Sequence, residues 1–164
     1  MHSIESRHAA FLAAVLACAS IAAGLTGCHG AATEPDYAPG LGEIMTLTQM
    51  RHTKLWLAGQ ARNWDLAAYE LDELSEGFED AIHFHPTHKD SPVPLDKVIP
   101  LMVDAPVAVL RQAIVGKDGD AFVRAYDGLT TACNGCHQAT NFAFNVVQRP
   151  AGNPFPNQVF APAR

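Results

Sequence analysis

Cysteine is scarce in this chain, with four in 164 residues, at positions 18, 28, 133 and 136. Only Cys133 and Cys136 lie in the body of the sequence, so a disulfide framework of the small secreted kind is excluded. A strand pattern is also missing. Nowhere do apolar and polar residues alternate with a period of two over a strand's length, which excludes sandwiches, barrels and βαβ units. Basic charge is short as well: 11 Lys and Arg stand against 17 Asp and Glu, a formal net charge of −6. With no basic stripe, the chain does not read as a nucleic-acid binder. Long apolar runs are absent but for one, "AAFLAAVLACASIAAGLTGC", which carries no charge from Ala9 to Cys28.

That run reads as an export signal. Arg7 and His8 give a weakly basic start, an apolar core follows, and small residues gather at its end. It reaches the length of a marginal transmembrane helix, and an ordinary signal peptide or an uncleaved anchor is the plainer alternative. The ending "LTGC", Leu25 to Cys28, resembles a bacterial lipobox, in which the cysteine is lipidated and becomes the mature N-terminus. The resemblance implies that residues 1–27 are cleaved, that Cys28 carries lipid, and that the protein is periplasmic, held to a membrane only through that anchor. Residues 28–40 then read as a flexible tether, because small residues with Pro35, Pro39 and Gly40 prevent regular structure.

The chain from Cys28 to Arg164 is 137 residues, enough for one domain with a sizeable core. Residues 41–62 read as a first helix, with Leu41, Ile44, Met45, Thr48, His52, Leu55, Trp56 and Gly59 on one broad face. Asn63 reads as the N-cap of a second helix carrying Leu66, Leu71, Leu74, Phe78 and Ile82, with either Tyr69 or Glu70 at the remaining step of that face. Residues 83–94, "HFHPTHKDSPVP", read as a loop. A short helix broken at Pro100 follows, then a third main helix capped by Asp104, with Pro106 in its first turn. Asp118 reads as the cap of a fourth helix running to just before Pro150. Phe122, Ala125, Leu129, Cys133, His137, Thr140, Phe144 and Val147 would form its face. The expected fold is all-α: an antiparallel four-helix bundle over residues 41–149. An extended C-terminal tail, 150–164, is fastened to it by Phe155 and Phe160.

The chemistry sits in "TTACNGCHQA". Cys133, Cys136 and His137 form C-x-x-C-H, the pattern of c-type haem attachment. A thioredoxin-like pair would open a helix after a strand, and a zinc site would need further ligands than one C-x-x-C supplies. On a helix the two cysteines are neighbours on one face. His137, four residues after Cys133, turns toward the same cofactor as proximal iron ligand. One covalent haem c is the cofactor expected.

A late C-x-x-C-H in an all-helical chain resembles the class II, cytochrome c-prime type, cytochromes over roughly residues 41–147. The tail extends beyond that family's usual pattern. The resemblance implies that the sixth coordination position faces the first helix. Met45 and His52 lie on its apolar face, Met45 as the candidate sixth ligand and His52 as the alternative. With a sixth ligand, the implied function is one-electron transfer with redox partner proteins. With an open iron, it is a module binding small gases such as nitric oxide or carbon monoxide. An enzyme is the weakest of the three readings, since peroxidase-like chemistry needs an open iron and a distal acid–base group. A homodimer is left open. His83, His85 and His88 read as solvated surface, or as a copper or zinc cluster, with His85 alternatively near the haem edge.

Overall fold

The computed structural model describes residues 37–163, and Ala38–Arg164 form one compact unit. The leader, Cys28 and the tether as far as residue 36 lie outside the described residues. Four helices follow one another: α1 Leu41–Gln60, α2 Trp64–Phe84, α3 Leu95–Val115 and α4 Gly119–Ala139. Among the described residues there is no strand, and the protein is an antiparallel four-helix bundle with an extended C-terminal tail.

Local chemistry sets the boundaries. Asn63 caps α2 by accepting the Leu66 amide at 3.2 Å, and Asp118 caps α4 by accepting that of Ala121 at 2.9 Å. The helices α1, α3 and α4 close in the same way, each followed by a non-glycine residue with positive φ: Arg62 at 55°, Lys117 at 54° and Asn141 at 67°. Around each, the next amide reaches back to a carbonyl five residues earlier: Asn63 to Ala58, Asp118 to Ala113, Phe142 to His137. This is the Schellman closure, normally given to glycine.

Two expectations are corrected. Helix α3 is continuous from Leu95, with Pro100 and Pro106 inside it and Pro94 at its N-cap, so Asp104 is an exposed mid-helix residue rather than a cap. The helix continues because its buried residues span both prolines: Leu95, Val98, Ile99 and Val103, then Leu110, Ala113 and Ile114. By length and composition alone α3 could cross a membrane, yet it packs on α2 and α4 and contributes seven residues to the core. Helix α4 does not run to Pro150 but stops at Ala139. Phe144, expected on its apolar face, is 82% exposed.

Helix α1 packs chiefly on α2, and α4 on α3; the contact between α1 and α4 is thin. The reason lies in how that contact is distributed. Toward the end of α1, Gly59 leaves room for the Phe122 ring of α4, which would collide with any added Cβ. Trp56, Trp64, Phe122 and Tyr126 pack there with ring centroids 4.8 to 6.3 Å apart. This aromatic cluster closes one end of the bundle. At the other end, where α1 begins and α4 finishes, the helices stand apart around a cleft. The tail is fastened by Phe160, 8% exposed, with Phe155 beside it under the Lys54 ammonium.

Candidate functional site

The cleft opens to solvent at its mouth and encloses a cavity of about 190 Å³. Its walls come from all four helices: Leu41, Met45, Thr48 and His52 of α1, Leu74 and Phe78 of α2, Leu95, Ile99 and Val103 of α3, and Cys133, Cys136 and His137 of α4. The loop after α4 adds Phe142, Asn145 and Val147. The lining is predominantly apolar, and the sequence-predicted residues Met45, His52, Cys133, Cys136 and His137 all meet in it.

Cys133 and Cys136 are free thiols. Burial pushes the Cys133 thiol up to about 12, with Cys136 adding to the effect, and burial raises Cys136 as well. Both therefore stay protonated at neutral pH. A dithiol redox centre needs the opposite, a depressed pKa that exposes a thiolate.

His137 is held by its loop. Its Nδ1 lies 2.6 Å from the Asn145 carbonyl oxygen. A carbonyl only accepts, so Nδ1 carries the proton and donates it, which leaves Nε2 as the ring nitrogen for coordination. This is how metal-ligating histidines are prepared for coordination. The early end of α4 makes this bond. Asn141 turns the chain back, the Phe142 amide donates to the His137 carbonyl at 2.7 Å, and the Asn145 amide donates to Phe142 at 2.8 Å. A helix continued to Pro150 would have carried Asn145 away along the axis.

His52 is 3% exposed, and both of its ring nitrogens are engaged. The Thr130 hydroxyl donates to the Tyr126 carbonyl at 2.9 Å, so it accepts from His52 Nε2 at 2.9 Å. The Tyr126 hydroxyl lies 2.9 Å from Nδ1 and 3.1 Å from the His52 carbonyl, its one proton shared between them, and its ring stacks on the imidazole at 4.4 Å. Burial lowers the His52 pKa to about 4, so the ring is neutral. Burial likewise pushes Tyr126 upward and keeps its phenol protonated. His52 thus forms a satisfied floor between the cleft and the aromatic cluster. Met45, half-buried on the cleft wall one turn from Gln49 and two from His52, has a thioether that no hydrogen bond claims.

His83, His85 and His88 do not converge, and His83 lies in the last turn of α2 rather than in the loop. His83 lies edge-on to Phe84, His85 bonds the Pro39 carbonyl at 2.8 Å, and His88 alone lines the cleft, edge-on to Phe142 at 5.7 Å. Among the described residues no three His, Cys, Asp or Glu side chains gather to hold a metal ion. The cleft thus presents two thiols, the Met45 thioether and the imidazoles of His137 and His88 along apolar walls. It fits a prosthetic group that brings its own iron and equatorial ligands, and it does not fit a bare zinc or copper ion.

Sequence reasoning missed Asn134, between the two cysteines. Its amide donates from Nδ2 to the Val147 carbonyl at 2.9 Å and accepts from the Val147 amide at 2.8 Å. It also left the choice between Tyr69 and Glu70 unmade. Glu70 is the buried one, 1% exposed and paired with Arg51 at 3.2 Å, while Tyr69 faces outward with the same guanidinium 5.6 Å from its ring centroid. Comparison of the chain with protein-family models, with curated proteins and with solved structures finds no match.

Proposed function

We propose that the protein is a monohaem c-type cytochrome of the four-helix-bundle kind, carrying single electrons between redox proteins in the periplasm. The observation that carries the reading is His137. In a C-x-x-C-H motif, on the wall of an apolar cleft, its Nδ1 proton is committed to the Asn145 carbonyl and its Nε2 is left for coordination. When bound, a haem c supplies one-electron exchange between ferric and ferrous iron. Cys133 and Cys136 would hold it by thioether bonds, His137 would be its proximal ligand, and Met45 its sixth. His52, with both nitrogens occupied, would close the cleft floor rather than coordinate. The apolar walls exclude water, which favours a small rearrangement on electron transfer. The "LTGC" stretch supports lipidation at Cys28 and tethering to a bacterial membrane.

The test is production in a periplasm with the c-type maturation machinery. The purified protein is expected to carry one haem that resists acid–organic extraction, with a low-spin optical spectrum in both oxidation states. Cys133→Ser and Cys136→Ser are each expected to weaken that attachment. Haem that extracts freely from the wild type would overturn the reading. A covalent but five-coordinate haem would leave Met45 unligated and turn the function to holding nitric oxide or carbon monoxide.

A further inference from the structure

We propose that Asn134 is a positioning residue for the iron ligand. Its side-chain amide pins the strap 145–147 so that the Asn145 carbonyl stays on His137 Nδ1, and it thereby sets how strongly His137 donates to iron. The inference rests on the cytochrome reading above.

The geometry is specific. A side-chain amide has one donor and one acceptor edge, and the peptide groups of Val147 present an N–H and a C=O. Asn134 takes both, at 2.8 and 2.9 Å, as a neighbouring strand would. The orientation of the amide is fixed by this pairing, because the Val147 N–H can only donate and its C=O can only accept. Two residues before Val147 lies Asn145, whose carbonyl receives the His137 proton at 2.6 Å. Asn134 and His137 stand nearly one turn apart on α4. The helix thus holds the ligand and, through Asn134, also the loop carbonyl that orients the ligand. The flanking residues show that apolar burial does not hold the strap in place: Phe144 is 82% and Val146 70% exposed.

A short Nδ1–H···O bond makes an imidazole a stronger donor, and a stronger donor stabilises ferric over ferrous iron. Releasing the strap weakens that bond, so the reduction potential rises. The experiment cuts the pair from each side in the haem-loaded protein. Asn134→Ala removes the amide. Val147→Pro, outside the C-x-x-C-H motif, removes the N–H that the amide accepts. Each variant is expected to change the ferric-to-ferrous ratio at fixed ambient potential about tenfold toward ferrous, a rise of about 59 mV for one electron. Because both cut one bond system, the double variant is expected to shift no further than the larger single one. In the reduced, diamagnetic protein the His137 Nδ1 proton is expected to exchange with solvent faster in both. Phe144→Gly is the control: it loosens the loop one residue before the strap, at a side chain 82% exposed, cuts no bond of Asn134 or His137, and leaves the potential unchanged. If Asn134→Ala fails to mature, Val147→Pro still reads the same bond. Unchanged potentials in variants that hold covalent haem overturn the proposal and spare the cytochrome reading. An equal shift in Phe144→Gly overturns it as well, since loosening of the loop would then suffice. A wild type without covalent haem removes both.

Discussion

Met45 and His52 face the same cleft with different commitments, and each gives a prediction. Met45→Ala removes the only thioether on the α1 wall. The loaded variant is expected to become high-spin, to bind carbon monoxide faster than wild type, and to show a lower reduction potential, because thioether ligation favours the reduced iron. His52→Ala is expected to leave the spin state unchanged. Optical spectra of the two variants decide the assignment, and a spin change in His52→Ala alone would reverse it. For His52 itself the pH dependence follows from burial. Its folded pKa, about 4, lies below its unfolded value of 6.5. The folded state therefore binds fewer protons than the unfolded chain between those values, and stability is full above pH 6.5 and declines as pH falls toward 4. The effect amounts to about 3 kcal/mol at the low end. Denaturant unfolding at pH 7 and pH 4.5 is expected to show the loss in wild type and a reduced loss in His52→Gln. The meeting of Cys133, Cys136 and His137 in one cleft was legible in the sequence, because their spacing puts them on one side of a helix. The occupation of His52 was not, because Tyr126 and Thr130 lie more than seventy residues away in sequence and announce nothing as a pair.

Helices α2 and α1 were legible nearly to the residue, because Asn63 and Gly40 mark their starts and the apolar steps carry through. Helices α3 and α4 were not. Proline normally stops a helix by removing a donor and crowding the preceding turn, at about 3 kcal/mol, and in α3 the burial of seven core residues on both sides of Pro100 and Pro106 outweighs it. In α4 the steps to Thr140, Phe144 and Val147 fit a helix, and the loop that replaces it depends on Asn141 accepting a left-handed conformation. The same conformation at Lys117 suggests a simple test. A non-glycine residue with positive φ is strained by about 1–2 kcal/mol, partly offset because glycine loses more freedom on folding. Lys117→Gly is accordingly expected to stabilise the protein by about 0.5–1 kcal/mol, read as a raised Tm. Gly59→Ala should do the reverse. Its methyl would enter the Phe122 ring, which Trp56, Trp64 and Tyr126 hold in place. A loss of about 1–3 kcal/mol is expected from overpacking, measured by chemical denaturation. A neutral result would mean that the ring cluster yields more easily than its packing implies.

At the scale of the whole molecule, the bundle is closed by rings at one end and open at the other, so its order need not be uniform along the helices. Amides at the ends of α1 and the starts of α2 and α4 are expected to exchange slowly whether or not haem is attached. Those at the start of α1 and the last two turns of α4 are expected to gain protection only when the cleft is filled, since a bound group stabilises the elements that it bridges. Hydrogen exchange on the loaded protein and on the Cys133→Ser, Cys136→Ser double variant measures the difference, and equal protection in the two would contradict it. The antiparallel bundle as such could be read from periodicity and short connections. Its asymmetry could not, since it arises from Gly59 admitting Phe122 at one end and from nothing comparable between Met45 and Cys133 at the other. On the cytochrome reading, the asymmetry also bears on what a cell would do with chains that miss maturation. Such a chain would keep its ring-closed end folded, and its open end would be where proteases cut first. A loaded neighbour of identical sequence would resist them there. Finished and unfinished molecules would then be sorted by where the backbone yields.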